Sequence, residues 1–269
     1  MNSDRRHYAL IIPACNEEAC LGVMLDELRR KLAALGQRHD FTICVGVNGS
    51  TDGTADVARE HGVEVAVTPR RGYGHGCQAA IDHLRHEGVA PDAYIFMAAD
   101  GANDPADLPR LLGAHADGYP FVLGCRTDGF RNVHGAMTLT HWVANLVLGA
   151  WCGLLTGRFF FDLGPFRLIE RQLFDELEMG EWTYGWTIEP QILAARRRVP
   201  MIEVSVRERA RLAGEQKVSG VGIRRTISVG AQILAAAWRA RVRPLPGFAR
   251  AALSARPSLL PNPKSACEP

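Results

Sequence analysis

Four short apolar runs, separated by helical repeats and polar turns, fill the first hundred residues and constrain the fold more than any other feature. They are Tyr8 to Pro13, Phe41 to Val47, Val63 to Val67 and Tyr94 to Met97. After Asn16-Glu17-Glu18, the apolar residues Leu21, Met24, Leu25, Leu28 and Leu32 recur at helical spacing. A second helix is expected from Thr54 to His61. A third is expected from about Cys77 to Glu87, after the glycine-rich stretch Pro69 to Gly76. Strands that alternate with helices pair in parallel, because each return to the sheet needs a crossover, and the helices then cover both faces. The expectation is an α/β fold with a doubly wound, mostly parallel sheet. Such sheets bind ligands outside the carboxyl ends of their strands. Three strand-end loops, Pro13 to Glu18, Asn48 to Gly53 and Asp100 to Asp104, should therefore converge on one crevice.

The third loop carries the most chemistry. Asp100, Asn103 and Asp104 lie within five residues, just before Pro105 opens the next helix. Such oxygen-rich turns suit magnesium or manganese held against a diphosphate. The same residues also suit an Asx-rich turn that caps the helix.

Further along, Phe121 to Arg126 reads as a strand and Leu139 to Leu155 as an apolar helix. The segment Phe159 to Ile169 precedes another helix and the aromatic stretch Trp182-Thr-Tyr-Gly-Trp-Thr-Ile-Glu189. Then come a helix from Pro190 to Arg198, a strand from Ile202 to Val206, a basic stretch from Arg207 to Lys217 and a helix from about Ile223 to Arg239. Repeated prolines after Arg241 leave no periodicity, so 241–269 is expected to be a loose tail.

Charge and cysteine usage narrow the function classes. A net charge of +2 with no long basic run does not point to nucleic acid. Seven scattered cysteines, with no C-x-x-C pair, read as reduced thiols of a cytoplasmic protein rather than a metal site. The chain enters a strand within eight residues, so no secretory signal is expected. The most apolar run, Trp142 to Leu155, is broken by Asn145 and is too short to span a bilayer.

Taken together, Pro13-Ala-Cys-Asn-Glu-Glu18, Asn48-Gly-Ser-Thr-Asp-Gly-Thr54 and Ala98-Ala-Asp-Gly-Ala-Asn-Asp-Pro105 resemble the inverting family 2 glycosyltransferases. Asp162-Leu-Gly-Pro-Phe-Arg167 and Gly214-Glu-Gln-Lys-Val-Ser-Gly220 look most like the dolichol-phosphate mannosyl- and glucosyltransferase branch. The resemblance implies a GT-A fold over 1–240, with a nucleotide-binding half to about 125 and an acceptor half from about 126. It also implies transfer of a sugar from a nucleotide diphosphate sugar, with a UDP-sugar favoured. Carried over by position, Pro13, Ala14, Asn16, Glu18, Asn48, Asp52, Arg71, Gly72, Tyr73, Ala99 and Asp100 would line the nucleotide site. Asp100 matches the last aspartate of the family's D-x-D metal motif, but Ala98 stands where the first belongs. Val47 and Asn48 likewise replace two adjacent acids. The neutral Asn48 amide can still accept from a pyrimidine N3–H, and it can also donate, so cytosine is not excluded. Losing a carboxylate weakens the grip on a hard cation. Asp100 with Asp104 or Asn103 remains to hold Mg2+ or Mn2+, or basic side chains take over that role.

Glycosyl transfer requires a neutralised leaving diphosphate, an acceptor oxygen behind the anomeric carbon, and removal of its proton if it carries one. Lys217, Arg207, Arg209 and Arg211 are the candidates for the diphosphate, with Gly214 and Gly220 as hinges of a closing loop. The bland reading of that loop is a solvated basic surface. Glu189 is the candidate base, in the position where the resemblance places an acid for hydroxyl acceptors. It also suits a simple charge at a helix N-terminus. Asp162 is a candidate for donor or acceptor contact, or for a turn cap. Trp182, Tyr184 and Trp186 suit stacking on a sugar, although aromatic residues also fill cores.

The acceptor is expected to be either a polyprenyl phosphate or a small hydroxyl compound. For the first, Leu139, Trp142, Val143, Leu146, Val147 and Ala150 form an apolar helical face fit for peripheral contact with the inner membrane surface. The same pattern fits a core helix. Arg224, Arg225, Arg239 and Arg241 would suit anionic lipid. The rival readings are a nucleotidyltransferase and a nucleotide-sugar-binding protein that has lost catalysis.

Overall fold

A computed structural model describes residues 5–128, 132–133, 139–212 and 223–245. Strand β1 (Arg6–Ala14), helix α1 (Glu18–Leu35), β2 (His39–Asn48), α2 (Thr54–Glu60), β3 (Glu64–Thr68), α3 (Tyr73–His86) and β4 (Ala93–Phe96) follow in the expected alternation. A short 3-10 turn (Pro105–Asp107) leads into α4 (Leu108–Ala116), β5 (Phe121–Cys125) and the small hairpin β6 (Thr127–Asp128) and β7 (Asn132–Val133). The second half holds α5 (Leu139–Thr156), β8 (Arg167–Glu170), α6 (Arg171–Leu177), α7 (Glu189–Arg196), β9 (Met201–Ser205) and α8 (Ile223–Val242).

Seven strands form one sheet in the order β3-β2-β1-β4-β8-β5-β9. The first four in that order pair in parallel, as do β5 and β9, while β8 runs antiparallel to both β4 and β5. One apolar cluster, with Leu10, Ile12, Leu21, Leu25, Leu28 and Leu108, fills one face of the sheet. The other, with Phe96, Phe160, Phe174, Trp186 and Ile192, fills the opposite face. The five leucine and methionine positions that spaced out α1 are all buried, so the amphipathic reading of that helix holds.

Two elements depart from expectation. Helix α3 begins at Tyr73, four residues early, because Gly72 turns the chain at φ +143 and Gly74 and Gly76 lie inside the first turns. Those glycines serve close packing: a Cβ on Gly76 would lie 2.7 Å from the Asn48 side-chain oxygen and 2.9 Å from Pro13 Cβ. Strand β8 inside Phe159 to Ile169 was not expected as a strand. Its Arg167 is wholly buried, with Nη1 donating to the Thr187 carbonyl at 2.6 Å, and burial pulls its pKa down to about 10. The 213–222 loop with Gly214, Lys217 and Gly220 and the tail from 246 lie outside the described residues, as do the side chains of Leu139, Arg224 and Arg225.

Candidate active site at the strand ends

The first two strand-end loops are laced together by side chains. Thr51 N–H donates to Asn16 Oδ1 at 2.8 Å, and Gly53 N–H donates to Glu18 Oε2 at 2.9 Å. Glu17 N–H reaches Thr54 Oγ1 at 2.9 Å, and Glu18 N–H leans on Asp52 at 3.3 Å. Asn16 adopts a left-handed φ of +54, which asparagine tolerates better than most residues. Asn16, Glu18 and Asp52 thus shape the mouth of the crevice through these bonds. Pro13, Ala14 and Ala99 are buried along it, and Asn48 closes its floor against Gly76. Arg71 is exposed beside Gly49, and the Tyr73 hydroxyl is buried without a hydrogen-bond partner among the described residues.

The third loop is organised from within. Ala98 N–H donates to Asn103 Oδ1 at 2.8 Å, Ala102 N–H to Asp100 Oδ1 at 3.0 Å, and Ala106 N–H to Asp104 Oδ1 at 2.9 Å. The segment after β9 runs antiparallel beside it, with Arg209 N–H on the Ala102 carbonyl at 2.8 Å and Leu212 N–H on the Asp100 carbonyl at 3.1 Å. Alternation along this extended segment sends three arginines toward acids. Arg207 meets Asp104 at 3.3 Å, and Arg209 grips both oxygens of Glu27 at 2.8 and 3.0 Å. Arg211 joins two loops, reaching Asp100 Oδ2 at 2.9 Å and Glu17 Oε2 at 2.6 Å. The three arginines expected at the diphosphate therefore stand beside the crevice already paired.

These contacts decide how the residues suit a divalent cation. Asp100 is engaged at both oxygens by Ala102 and Arg211. Asn103 turns its carbonyl back onto Ala98, and Asp104 caps the 3-10 turn while facing Arg207. Among the described residues no group of three or more His, Cys, Asp or Glu gathers to hold a metal. The expected pairing of Asp100 with Asp104 does not form a preformed cage, because each carboxylate serves a different backbone and a different arginine.

In the other half, Asp162 is buried and takes a two-pronged grip from Arg126, at 2.7 and 2.8 Å, together with the Arg126 and Leu163 N–H groups. Burial alone would raise its carboxyl, but Arg126 and those N–H donors hold it below the usual carboxylate range. Arg126 also reaches Glu208 at 2.6 Å, and Glu208 bridges to Asn103. Arg126, Glu208 and Glu17 were not singled out from the sequence. Arg126 ends a strand on the crevice side, which was the one available signal.

Glu189 lies at the start of α7, only 2% exposed, and accepts from Gly180 N–H at 2.9 Å and Glu181 N–H at 2.8 Å, with Arg243 at 3.3 Å. Burial raises its pKa, and the two N–H donors oppose that shift. As placed, Glu189 anchors the turn that carries Trp182 rather than presenting an open base. Trp182 stacks on His75 with centroids 5.8 Å apart and accepts the His75 N–H on its carbonyl. Tyr184 is half-buried. Trp186 is not a sugar platform: it is fully buried against Phe96 at 4.8 Å and Tyr73 at 5.3 Å, where a flat apolar ring fills the core.

Residues 9–199 match the family model described as glycosyl transferase family 2. A glycosyltransferase of Mycobacterium tuberculosis is 31% identical over 214 residues, spanning 78% of this chain and 89% of the relative. The dolichyl-phosphate hexose transferase of Haloferax volcanii is 29% identical over 215 residues, spanning 78% of this chain and 86% of its own. Among solved structures, glucosyl-3-phosphoglycerate synthase of Mycobacterium tuberculosis, in complex with Mn2+, UDP and phosphoglyceric acid, superposes with a TM-score of 0.65. It is 21% identical and covers 89% of this chain and 80% of its own. The sheet and its strand-end crevice are therefore a GT-A fold, and the chain belongs to glycosyl transferase family 2 as a glycosyltransferase.

Proposed function

We propose that this glycosyltransferase moves a sugar, with inversion, from a UDP-sugar to a polyprenyl phosphate held at the inner membrane surface. The observation that carries the acceptor is the outward apolar face of α5. Val143, Val147 and Leu154 share one side of that helix and are 48%, 56% and 76% exposed. Asn145, Gly149, Cys152 and Leu155 on the opposite side pack inward, so the helix has a core face and a second apolar face with no partner among the described residues. Helix α8 lies beside it, with Trp151 Nε1 donating to the Leu234 carbonyl at 3.4 Å, and adds the exposed Trp238 and Val242. Arg239, paired with Glu181 at 2.7 Å, and Arg241, whose Nε donates to the Leu155 carbonyl at 2.8 Å, are both exposed next to Trp238 and Val242. Their charges suit an anionic lipid surface. No described helix is long and apolar enough to cross a membrane, which fits a helix pair lying in the interface.

The carboxylates agree with a phosphate acceptor. Glu189 and Asp162 are both spent on N–H groups and arginines, so neither stands ready to take a proton. A phosphate enters already ionised and needs no base. On this reading Glu189 is a positioning residue for the Trp182 turn, and Asp162 positions Arg126. The Asn48 amide suits a pyrimidine, accepting from the uracil N3–H or donating to cytosine N3, and uridine is the first choice. The dolichyl-phosphate hexose transferase among the relatives supports the lipid acceptor.

The test is transfer of radiolabelled glucose, mannose and N-acetylglucosamine from their UDP and GDP forms, with undecaprenyl phosphate in vesicles or with small hydroxyl acceptors. The expected product partitions into organic solvent and releases its sugar in mild acid. Label recovered only in a water-soluble glycoside would replace the lipid acceptor with a soluble one.

A further inference from the structure

We infer that Arg211 is the resident cation of the leaving-group site and stands in for a divalent metal ion, so that the chain binds its nucleoside diphosphate without one. This rests on the proposed nucleotide-sugar donor. The crevice brings two carboxylates, Glu17 from the first loop and Asp100 from the third, onto one guanidinium at 2.6 and 2.9 Å. The arginine thereby ties the first loop to the third at Asp100, as a cation bridging them would.

Among the described residues, nothing nearby completes an alternative oxygen cage. Position 98 is alanine, the Asn103 oxygen is turned onto the Ala98 N–H, and Asp104 is engaged by Ala106 and Arg207. Magnesium and manganese demand a near-octahedral set of oxygens, and these side chains point apart. Cys20 Sγ sits 3.2 Å from Glu17 Oε2, but burial pushes that thiol up to about 12, so it supplies no thiolate.

The guanidinium itself is suited to the task. It is always charged and presents a planar fork matched to phosphate oxygens. Two of its nitrogens reach the two acids, while Nε has no hydrogen-bond partner among the described residues. Arg211 can therefore turn N–H donors toward a diphosphate while one carboxylate keeps hold of it. Its backbone is fixed by the ladder beside the third loop, where Leu212 N–H meets the Asp100 carbonyl at 3.1 Å.

The experiment is calorimetric titration of the full chain with UDP, GDP, CDP and dTDP, each in EDTA and in MnCl2. It is paired with electron paramagnetic resonance of Mn2+ added to protein and UDP. The wild-type Kd for the preferred nucleotide should agree between EDTA and Mn2+ to within about twofold, and the protein should take up no Mn2+ beyond that bound by UDP alone. Arg211→Ala should weaken binding about tenfold or more in EDTA. Arg211→Lys, which keeps the charge but loses the fork, should weaken it less and remain indifferent to EDTA. Thermal unfolding of each variant establishes that it is folded, and the wild-type comparison needs no variant at all. Loss of wild-type binding in EDTA, or an unchanged Kd in Arg211→Ala, overturns the inference while leaving the donor intact. Binding of none of the four nucleotides in either condition overturns the nucleotide-sugar donor, and the inference with it.

Discussion

The guanidinium of Arg126 closes on the carboxylate of Asp162 through two parallel hydrogen bonds of 2.7 and 2.8 Å, 36 residues apart in the chain. Asp162 is wholly buried, and Arg126 continues to Glu208 beside the third loop. A charged pair in this setting is costly to break from one side, because the remaining charge stays buried without its partner. Asp162→Ala should lower unfolding free energy by about 3–5 kcal/mol, measured by urea denaturation. Asp162→Asn keeps an oxygen for the Arg126 and Leu163 N–H groups and should cost less. If both variants match the wild type, the pair does not hold this side of the crevice together.

The two tryptophans of the aromatic stretch should separate cleanly. Trp186 is fully buried, so Trp186→Ala should cost about 3–5 kcal/mol of stability. Trp182 is 36% exposed and stacks on His75, so its loss should leave stability within about 1 kcal/mol. Trp182→Ala should instead raise KM about three- to tenfold, in keeping with the worth of one aromatic contact. Thermal melts alongside steady-state kinetics read both effects. An unstable Trp182→Ala with an unchanged KM would show that ring to be structural.

How legible these arrangements were in the sequence depends on the range of the interaction. Helix α1 and strands β1 to β4 were readable because apolar spacing is local and each strand end carries its own turn residues. The convergence of the three loops followed from topology alone. Helix α3 starts early although Gly74 and Gly76 ordinarily argue against a helix, because Gly74 is needed where it presses on Trp186 and Gly76 where it presses on Gly46 and Asn48. The pairing of Arg211 with Glu17 spans 194 residues, and no local pattern announces it. The choice between sugar platform and core for Trp186 stays open in the sequence for the same reason: its partners Phe96 and Tyr73 come from β4 and α3, distant in the chain.

Membrane contact through the outward face of α5 and α8 is testable without touching the crevice. Val147→Asp and Leu154→Asp replace exposed side chains and should change stability by no more than about 0.5 kcal/mol. Both should abolish sedimentation with vesicles rich in anionic lipid. Transfer to a lipid phosphate should fall with it, while nucleotide binding stays as in the wild type. Variants that still sediment with vesicles would assign this face to a protein partner or a second copy of the chain.

A half-buried acid and a buried histidine should cancel one another in the pH profile of stability, and removing one should expose the other. Glu203 accepts the N–H groups of Phe161 and Asp162 at 3.0 and 3.2 Å, and burial, opposed by those donors, lifts its pKa from 4.5 to about 7. His115 is buried against Tyr8 and Arg6, and burial, helped by the Arg6 charge, lowers its pKa from 6.5 to about 4. Between pH 4.5 and 6.5 the folded state carries the extra proton on Glu203, and the unfolded state carries it on His115. The proton difference from this pair is then zero, so together they add no slope there. Glu203→Gln keeps an acceptor oxygen but removes the titration. Relative to the wild type, its unfolding free energy should then fall as pH drops through that window, by up to about 1.4 kcal/mol per unit. Above pH 6.5 the wild type should lose stability up to about pH 7 as Glu203 ionises, and the variant should not. Urea unfolding at half-unit pH steps from 4.5 to 8 reads the difference. Parallel curves for the two proteins would show that Glu203 titrates near its ordinary value in the folded chain.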